Sequence, residues 1–186
     1  MRFDEFVQGS GISVYPVDRF VGFLVEVGMP PGWETFHSAV GTRVWVWRDD
    51  PCIDTFCANA VLTMHRVEAP LDPVDVFAML SDQQLQSVPS PVELRREFAA
   101  ATEGPGIVGM LAMRIAHELG IVDSGSQSRI IATEEETLIA QLTVTALHDS
   151  PVNRAQLWLK ARRGPVTIPA AAGQRRATVN TTQVGH

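Results

Sequence analysis

The chain has 186 residues, of which 45% are hydrophobic and 19% are charged, and its formal net charge is −6. This composition suits one globular domain with its own core and excludes a disordered or fibrous class for most of the chain. No apolar run reaches the roughly 18 residues of a membrane-spanning helix, so no membrane span is predicted. An acidic chain without a basic stripe is also a poor candidate for nucleic-acid binding, because clustered cations supply most of the affinity for phosphates.

The predicted elements alternate groups of strands with single helices. In chain order they are strands at 19–28, 42–48 and 58–67, a helix at 72–86, strands at 93–102, 107–119, 127–133 and 137–147, and a helix at 150–163. The segment 107–119 is open to a helix as an alternative, because Met110, Met113, Ile115 and Leu119 also have a helical spacing. Asp72 is a typical N-cap residue, and Pro73 after it suits the first helical position. The cluster at 123–126 is typical of a turn, since it consists of Asp, Ser and Gly.

These elements predict a single α+β domain, an antiparallel sheet flanked by helices. Consecutive strands joined by short turns pair antiparallel, and two amphipathic helices must cover part of the sheet; a βαβ dinucleotide fold is not indicated. We expect residues 1–18 to be an N-terminal segment, residues 19–168 to be the domain, and residues 169–186 to be a disordered tail, because the tail has no apolar period.

An ordered series of short motifs runs through this domain. The motifs are Pro30-Pro31-Gly32-Trp33, Ala60-Val61-Leu62-Thr63-Met64, Leu71-Asp72-Pro73, Gly109-Met110, Ser128-Arg129-Ile130-Ile131-Ala132-Thr133 and the strand at 138–147. In this order they resemble the LpqN/LpqT group of mycobacterial proteins, whose fold is similar to that of Mog1/PsbP-like domains, over residues 20–168. The resemblance implies an antiparallel sheet of about six strands flanked by helices. It also implies a binding or structural role, because the group carries no established catalytic site.

Members of that group are often exported lipoproteins, and the start of this chain differs from an export signal. Asp4 and Glu5 stand where a signal peptide has a basic segment, and no cysteine for lipid attachment lies nearby. We therefore expect a cytoplasmic protein, or one exported by a route that uses no classical signal peptide.

Two cysteines, Cys52 and Cys57, stand close together in the segment 51–57. A disulfide between them is possible in an oxidising compartment, whereas two reduced thiols are expected without export. Two thiols alone cannot complete a tetrahedral zinc site, and no histidine lies at zinc-finger spacing from them. We predict no bound cofactor and no metal site.

The motifs that could carry catalysis are incomplete. His117-Glu118 is half of a zinc-protease signature, but Ile121 stands where the second histidine is required, and a polar pair on a strand is the alternative. Cys57 is a candidate nucleophile only if the fold brings a histidine and an acid to it. The partners considered for it are His65, His148 and Asp54. No catalytic residue is predicted.

Aromatic side chains suggest an interaction surface, which would consist of Trp33, Trp45, Trp47 and Phe56. Trp45 and Trp47 alternate onto one face of a strand. If the helices cover the other face, these indoles are open to a partner; if a helix covers this face, they belong to the core.

The first hypothesis for the function is a non-catalytic protein-interaction or scaffold module, with the partner and the oligomeric state left open. The alternative is a small-molecule or lipid carrier, or a weak hydrolase, with a sheet–helix pocket. Four methionines favour this alternative, because flexible thioethers line adaptable pockets. They are Met64, Met79, Met110 and Met113.

Overall fold

The computed structural model describes residues 1–164, which form two antiparallel sheets and two helices. The helices are α1 (Phe3–Ser10) and α2 (Pro73–Gln86). The strands are β1 (Val14–Pro16), β2 (Phe23–Gly28), β3 (Trp33–Ala39), β4 (Thr42–Trp47), β5 (Asn59–Val67), β6 (Pro91–Ala100), β7 (Ile107–His117), β8 (Gly120–Ala132), β9 (Thr137–Leu147) and β10 (Trp158–Arg163). A one-turn 3-10 helix, Arg154–Gln156, precedes β10.

Eight of the strands form one large sheet, in the order β3-β4-β5-β9-β8-β7-β6, with β1 paired to the part of β5 beyond β4. The remaining strands, β2 and β10, pair with each other in a small sheet. Every pairing is antiparallel, so the prediction of an α+β fold with an antiparallel sheet is confirmed. The large sheet exceeds the predicted six strands because β1 has only 3 residues and β3 is mostly exposed, so neither has a clear apolar pattern.

The large sheet is the middle layer of the molecule. Both helices pack on one face, around the buried side chains of Phe3, Val67, Val76, Phe77, Ile130 and Ile139. The small sheet packs on the other face, around Leu62, Leu138, Leu142, Leu157, Leu159 and Ala161. The alternation along β9 produces both contacts, since Ile139 faces the helices whereas Leu138 and Ala140 face the small sheet. The start of β9 is apolar at the consecutive residues Leu138, Ile139 and Ala140, as expected where a strand is covered on both faces, whereas Gln141, Thr143 and Thr145 alternate with apolar residues further along.

The prediction of a second helix at 150–163 is wrong. Asn153 caps only the short 3-10 helix, and the chain then continues as β10. Within β10, Leu159 and Ala161 are buried while the residues beside them are exposed. Ser150 followed by proline suited a helix start, but the period of two prevails because β10 pairs with β2 and packs this apolar face against the large sheet.

The predicted turn at 123–126 is also wrong, because this segment lies inside β8. The turn between β7 and β8 is instead at Glu118 and Leu119. Ser126 faces α2, and its hydroxyl donates a 2.8 Å hydrogen bond to Oε1 of Gln84. The small polar residues of this strand therefore serve a polar helix–sheet contact and do not mark a reversal of the chain.

The N-terminal residues pack on the rest of the molecule. Residues 1–18, predicted as a segment before the domain, supply α1 and β1. Phe3 is buried in the core beneath the helices, and β1 pairs with β5. The predicted boundary at 168 and the tail at 169–186 lie outside the described residues.

Candidate functional site

Three of the four residues in the predicted interaction surface share one face of the large sheet. The register of β3 and β4 places Trp33 opposite Trp47, with ring centroids 6.4 Å apart and ring planes 10° from parallel. Trp45 lies two residues before Trp47 and so points to the same face. Trp33 and Trp45 pack against the core under the small sheet. All three indoles are half-buried, so each keeps part of its ring in contact with solvent.

Phe56, the fourth predicted residue, lies in the loop between β4 and β5 and is half-buried. Asp50 organises this loop, because its buried carboxylate accepts 2.9 Å hydrogen bonds from the backbone of Cys52 and Ala58 and from the hydroxyl of Ser150. Within residues 1–164, no ring contact joins Phe56 to a tryptophan. The structure therefore places the three tryptophans on one face, and Phe56 makes no ring contact with them among the described residues.

Cys52 and Cys57 are both free thiols in this structure. Burial and the nearby charge of Asp50 raise the pKa of the Cys57 thiol. A raised pKa disfavours the thiolate, whereas a nucleophilic cysteine needs a lowered one. The thiol contacts the carbonyl oxygens of Trp47 and Ala58, each at 3.6 Å, so its hydrogen-bond partners are backbone groups. A disulfide formed in an oxidising compartment stays a prediction.

A groove of about 350 Å³ opens between the two sheets beside the tryptophans. The apolar residues that line this inter-sheet groove include Phe23, Val25, Val27, Trp45, Leu62 and Met64. Its charged lining residues are Asp18, Arg19 and Arg43. Asp18 is engaged, since its carboxylate accepts a 3.1 Å hydrogen bond from the Gly41 N–H. Arg19 and Arg43 are exposed, and neither guanidinium has an acceptor among the described residues. The groove thus joins an apolar floor to two cations that are free to bind an anion.

Part of this groove has a sequence signal. Arg43 stands two residues before Trp45, so the period of two in β4 places the cation and the indole on one face. The approach of Arg19 and β2 to this face has no local signal, because it depends on where the small sheet packs.

A second cavity, of about 400 Å³, lies on the opposite face of the large sheet, between the sheet and both helices. We call it the His65 cavity. Its apolar lining residues are Phe3, Val7, Val14, Leu80 and Ile139, and its polar ones are Asp4, Thr63, His65, Gln83 and Gln141. Gln83 accepts a 3.0 Å hydrogen bond from the Asp4 N–H. Thr63 and His65 lie two residues apart on β5, and their side chains have no hydrogen-bond partner within residues 1–164.

His65 makes stability depend on pH. Burial lowers the pKa of His65 below its ordinary value of 6.5. Below about pH 6.5 the unfolded chain therefore binds a proton that the folded chain resists, and stability falls from there towards the lowered folded pKa. We expect wild type to lose more unfolding free energy than His65→Gln between about pH 7.5 and 5.5, measured by urea unfolding. Since every other titrating group is shared, parallel pH profiles in the two proteins would contradict this assignment.

The other histidines considered for catalysis have partners that suggest structural roles. His117 ends β7, and its Nδ1 accepts a 3.2 Å hydrogen bond from the Leu119 N–H in the following turn. Nδ1 of His148 lies 2.7 Å from the carboxylate of Asp123, which also accepts a 2.8 Å bond from Arg114. Burial raises the pKa of Asp123, but the bonds from Arg114 and His148 outweigh it and leave that pKa lowered. No hydroxyl or thiol side chain hydrogen-bonds to this cluster within residues 1–164.

Two further features bear on the kind of site. In the part of the chain that the structure describes, no group of three His, Cys, Asp or Glu side chains is placed to hold a metal ion. Neither α1 nor α2 combines the length and apolar character that crossing a membrane requires, and the same holds for every described helix.

The described residues define a class of fold, an α+β sandwich whose large antiparallel sheet lies between two helices and a small second sheet. Among solved structures, it is similar to LpqN of Mycobacterium tuberculosis, a protein involved in cell envelope biogenesis. The TM-score is 0.64 at 16% identity, and the match covers 80% of this chain and 87% of that chain. At this identity the likeness shows the fold alone. No family model and no curated protein matches the chain.

Proposed function

We propose that this protein is a non-catalytic binding module that recognises a protein partner at the inter-sheet groove and the tryptophans beside it. The observation that carries the proposal is the pair of unpartnered guanidinium groups, Arg19 and Arg43, next to an apolar groove. Tryptophan and arginine are enriched among the residues that contribute most to protein–protein affinity. The LpqN-like fold is compatible with a non-catalytic role.

The lining residues indicate the chemistry of the partner. A segment with an aspartate or glutamate beside an aromatic or aliphatic side chain would place its carboxylate against Arg43 or Arg19. Arginine binds carboxylates through two parallel hydrogen bonds, which gives such a contact direction as well as strength. The neighbouring apolar side chain would enter the groove beside Trp45 and lose its contact with water. Because the whole chain carries a net charge of −6, these two cations form a local exception that an acidic segment can recognise.

A peptide-display selection tests this proposal. Random short peptides are selected on the wild-type protein and counter-selected on Arg43→Glu, which replaces a cation in the groove by an anion. We expect the surviving peptides to join an acidic residue to an aromatic or aliphatic one. Synthetic copies should bind wild type and lose at least about tenfold in affinity on Arg43→Glu, since like charges across an interface repel. Isothermal titration calorimetry measures both affinities.

Arg95→Glu is the matched control for that experiment. It makes the same charge change on β6, the edge strand at the opposite end of the large sheet, where Arg95 pairs with Glu97 on the surface. It should leave peptide affinity unchanged. Equal binding to wild type and Arg43→Glu, or a selection that enriches no acidic-apolar motif, would refute the groove as the partner site.

The tryptophans should report binding directly. Trp158 is one of 4 tryptophans, and it lies on β10 over Gly28, without a ring contact to the other three among the described residues. In a Trp158→Phe background, the emission therefore comes from Trp33, Trp45 and Trp47. A selected peptide should reduce acrylamide quenching of this emission, because its apolar side chain covers part of the exposed indole surface. Quenching that does not change at saturating peptide would place the peptide elsewhere.

A further inference from the structure

The His65 cavity contains polar groups that the protein itself does not use. Elsewhere on this face of the large sheet, the polar side chain of Gln84 finds partners across the helix–sheet contact. The partners of Gln84, at 2.8 to 3.4 Å, are Ser126, Gln141 and Thr143. Thr63 and His65 differ, since both line the cavity and neither side chain has a partner among residues 1–164. Both residues are half-buried, so their polar groups have lost part of their hydration without gaining a protein partner, and a cavity lined in this way is suited to a ligand that hydrogen-bonds.

The spacing of the two groups fits one small molecule. Thr63 and His65 are alternate residues of β5, and same-face neighbours along a strand lie about 7 Å apart. The volume of about 400 Å³ lies within the range of about 300 to 1,000 Å³ that is usual for small-molecule sites. Phe3, Leu80 and Ile139 supply apolar walls around the two polar groups.

The charges around the cavity favour a neutral ligand. Burial lowers the pKa of His65, so its imidazole is neutral at neutral pH. Asp4 is the only charged residue lining the cavity among those described, and its carboxylate is already bound by Arg2 at 2.7 Å. A charged ligand would enter without a free countercharge, which is unfavourable in a partly buried site. A neutral molecule has no such cost.

We propose that the His65 cavity is a second binding site, for a compact neutral molecule with an apolar body and a hydrogen-bonding group held by His65 and Thr63. It lies on the opposite face of the large sheet from the inter-sheet groove. It therefore goes beyond the proposed function and does not depend on it.

N-phenyl-1-naphthylamine is the probe for the test. It is apolar, carries one N–H donor, remains neutral at the pH values used, and fluoresces more strongly when it leaves water. We expect saturable binding of one probe per wild-type protein. Leu80→Trp places an indole in the cavity and should abolish this binding. His65→Phe keeps an aromatic ring but removes the acceptor, and should weaken binding about fivefold, the effect of one hydrogen bond.

The pH dependence separates His65 from simple apolar binding. The wild-type affinity should fall as the pH approaches the pKa of folded His65, which burial places below 6.5, because a protonated imidazole donates from both nitrogens and accepts no hydrogen bond. His65→Gln keeps an acceptor that does not titrate, so its affinity should match that of wild type near neutral pH and stay level on acidification. Asp4 does not confuse this result, since its hydrogen bond with Arg2 lowers the pKa of Asp4 below the ordinary 3.8.

Clear outcomes would overturn the proposal. The first is that the probe shows no saturable binding to wild type. The second is that correctly folded Leu80→Trp and His65→Phe bind the probe as tightly as wild type does. The third is that the affinities of wild type and His65→Gln depend on pH in the same way. Circular dichroism establishes that each variant is folded. A measurement on wild type needs no variant: at saturating probe, the ring resonances of His65 in a histidine-labelled protein should shift, and unchanged resonances would exclude the site. Because no peptide partner is used, these results stand whether or not the groove binds one.

Discussion

Replacing Arg129 by methionine should lower the free energy of unfolding by about 3 kcal/mol. Arg129 is only 2% exposed, and burial lowers the pKa of its guanidinium, which the nearby Glu103 offsets only in part. The guanidinium donates to four backbone carbonyls at 2.8 to 3.2 Å, those of Glu103, Pro105, Ile107 and Ala161. Methionine matches the length of the side chain but donates nothing. Each buried carbonyl that loses its partner costs about 1 to 3 kcal/mol, less where water can enter.

This effect should extend to the inter-sheet groove. Through its four bonds, Arg129 ties β8 both to the loop between β6 and β7 and to β10. Since β10 holds β2 in the small sheet, we expect Arg129→Met also to weaken peptide binding at the groove. Urea unfolding followed by tryptophan fluorescence measures the loss of stability, with an unchanged m-value showing that unfolding remains two-state.

Arg162→Met is the matched control for Arg129. Arg162 lies on the exposed side of β10, where it pairs with Glu26 at 2.9 Å. Exposed ion pairs contribute little, so this substitution should change the free energy of unfolding by less than about 1 kcal/mol. If both methionine variants were equally stable, the carbonyl contacts of Arg129 would not have the importance assigned to them.

Replacing Gly109 by alanine should lower the free energy of unfolding by about 2 kcal/mol. Gly109 is buried in β7, and a Cβ atom there would overlap the ring of Phe77 on α2. Phe77 has little room to move, because it is 3% exposed and packs edge-on against Phe98 with ring centroids 6.1 Å apart. The added methyl group would therefore push α2 away from the sheet or force the ring into a strained rotamer. Thermal or urea unfolding measures the loss.

Gly125→Ala is the matched control, because it adds the same methyl group at a position with room for it. Gly125 lies on the neighbouring strand β8, and a Cβ atom there would be 3.4 Å from the nearest atom, Nη1 of Arg154. Without an overlap, we expect a change of less than about 0.5 kcal/mol or a slight gain, since alanine restricts the unfolded chain. Phe77→Leu should recover part of the loss in a Gly109→Ala background, and a double-mutant cycle with no coupling would show that the ring is not the cause.

Local sequence patterns were sufficient to predict the type and the ends of an element where one pattern dominates the segment. The strand at 137–147 has its predicted ends because apolar residues occupy every second position from Leu138 to Ala146. The helix α2 begins where Asp72 and Pro73 predicted it, and the Asp72 carboxylate accepts 2.8 and 3.2 Å bonds from the N–H groups of Val74 and Asp75. Such signals act over one turn of a helix or one strand, so they need no knowledge of the partner elements.

Local chemistry misled where a distant partner decides the outcome. A serine and proline at 150–151 favoured a helix, yet β10 forms because β2, more than a hundred residues earlier, offers an edge to pair with. Ser124 and Ser126 of β8 suggested a turn, yet both are buried, and their hydroxyls meet Thr145 on β9 and Gln84 on α2.

For the candidate sites the division is similar. The alternation of β4 by itself determined that Arg43, Trp45 and Trp47 share a face, because side chains alternate along any strand. That Trp33 stacks on Trp47 was decided by the register of β3 on β4. The inter-sheet groove forms only because the small sheet packs over the large sheet. The His65 cavity forms only because both helices pack on the opposite face of the large sheet. Sequence therefore determined the α+β class and which way side chains point, whereas tertiary structure decided which of them meet, because those contacts join segments far apart in the chain.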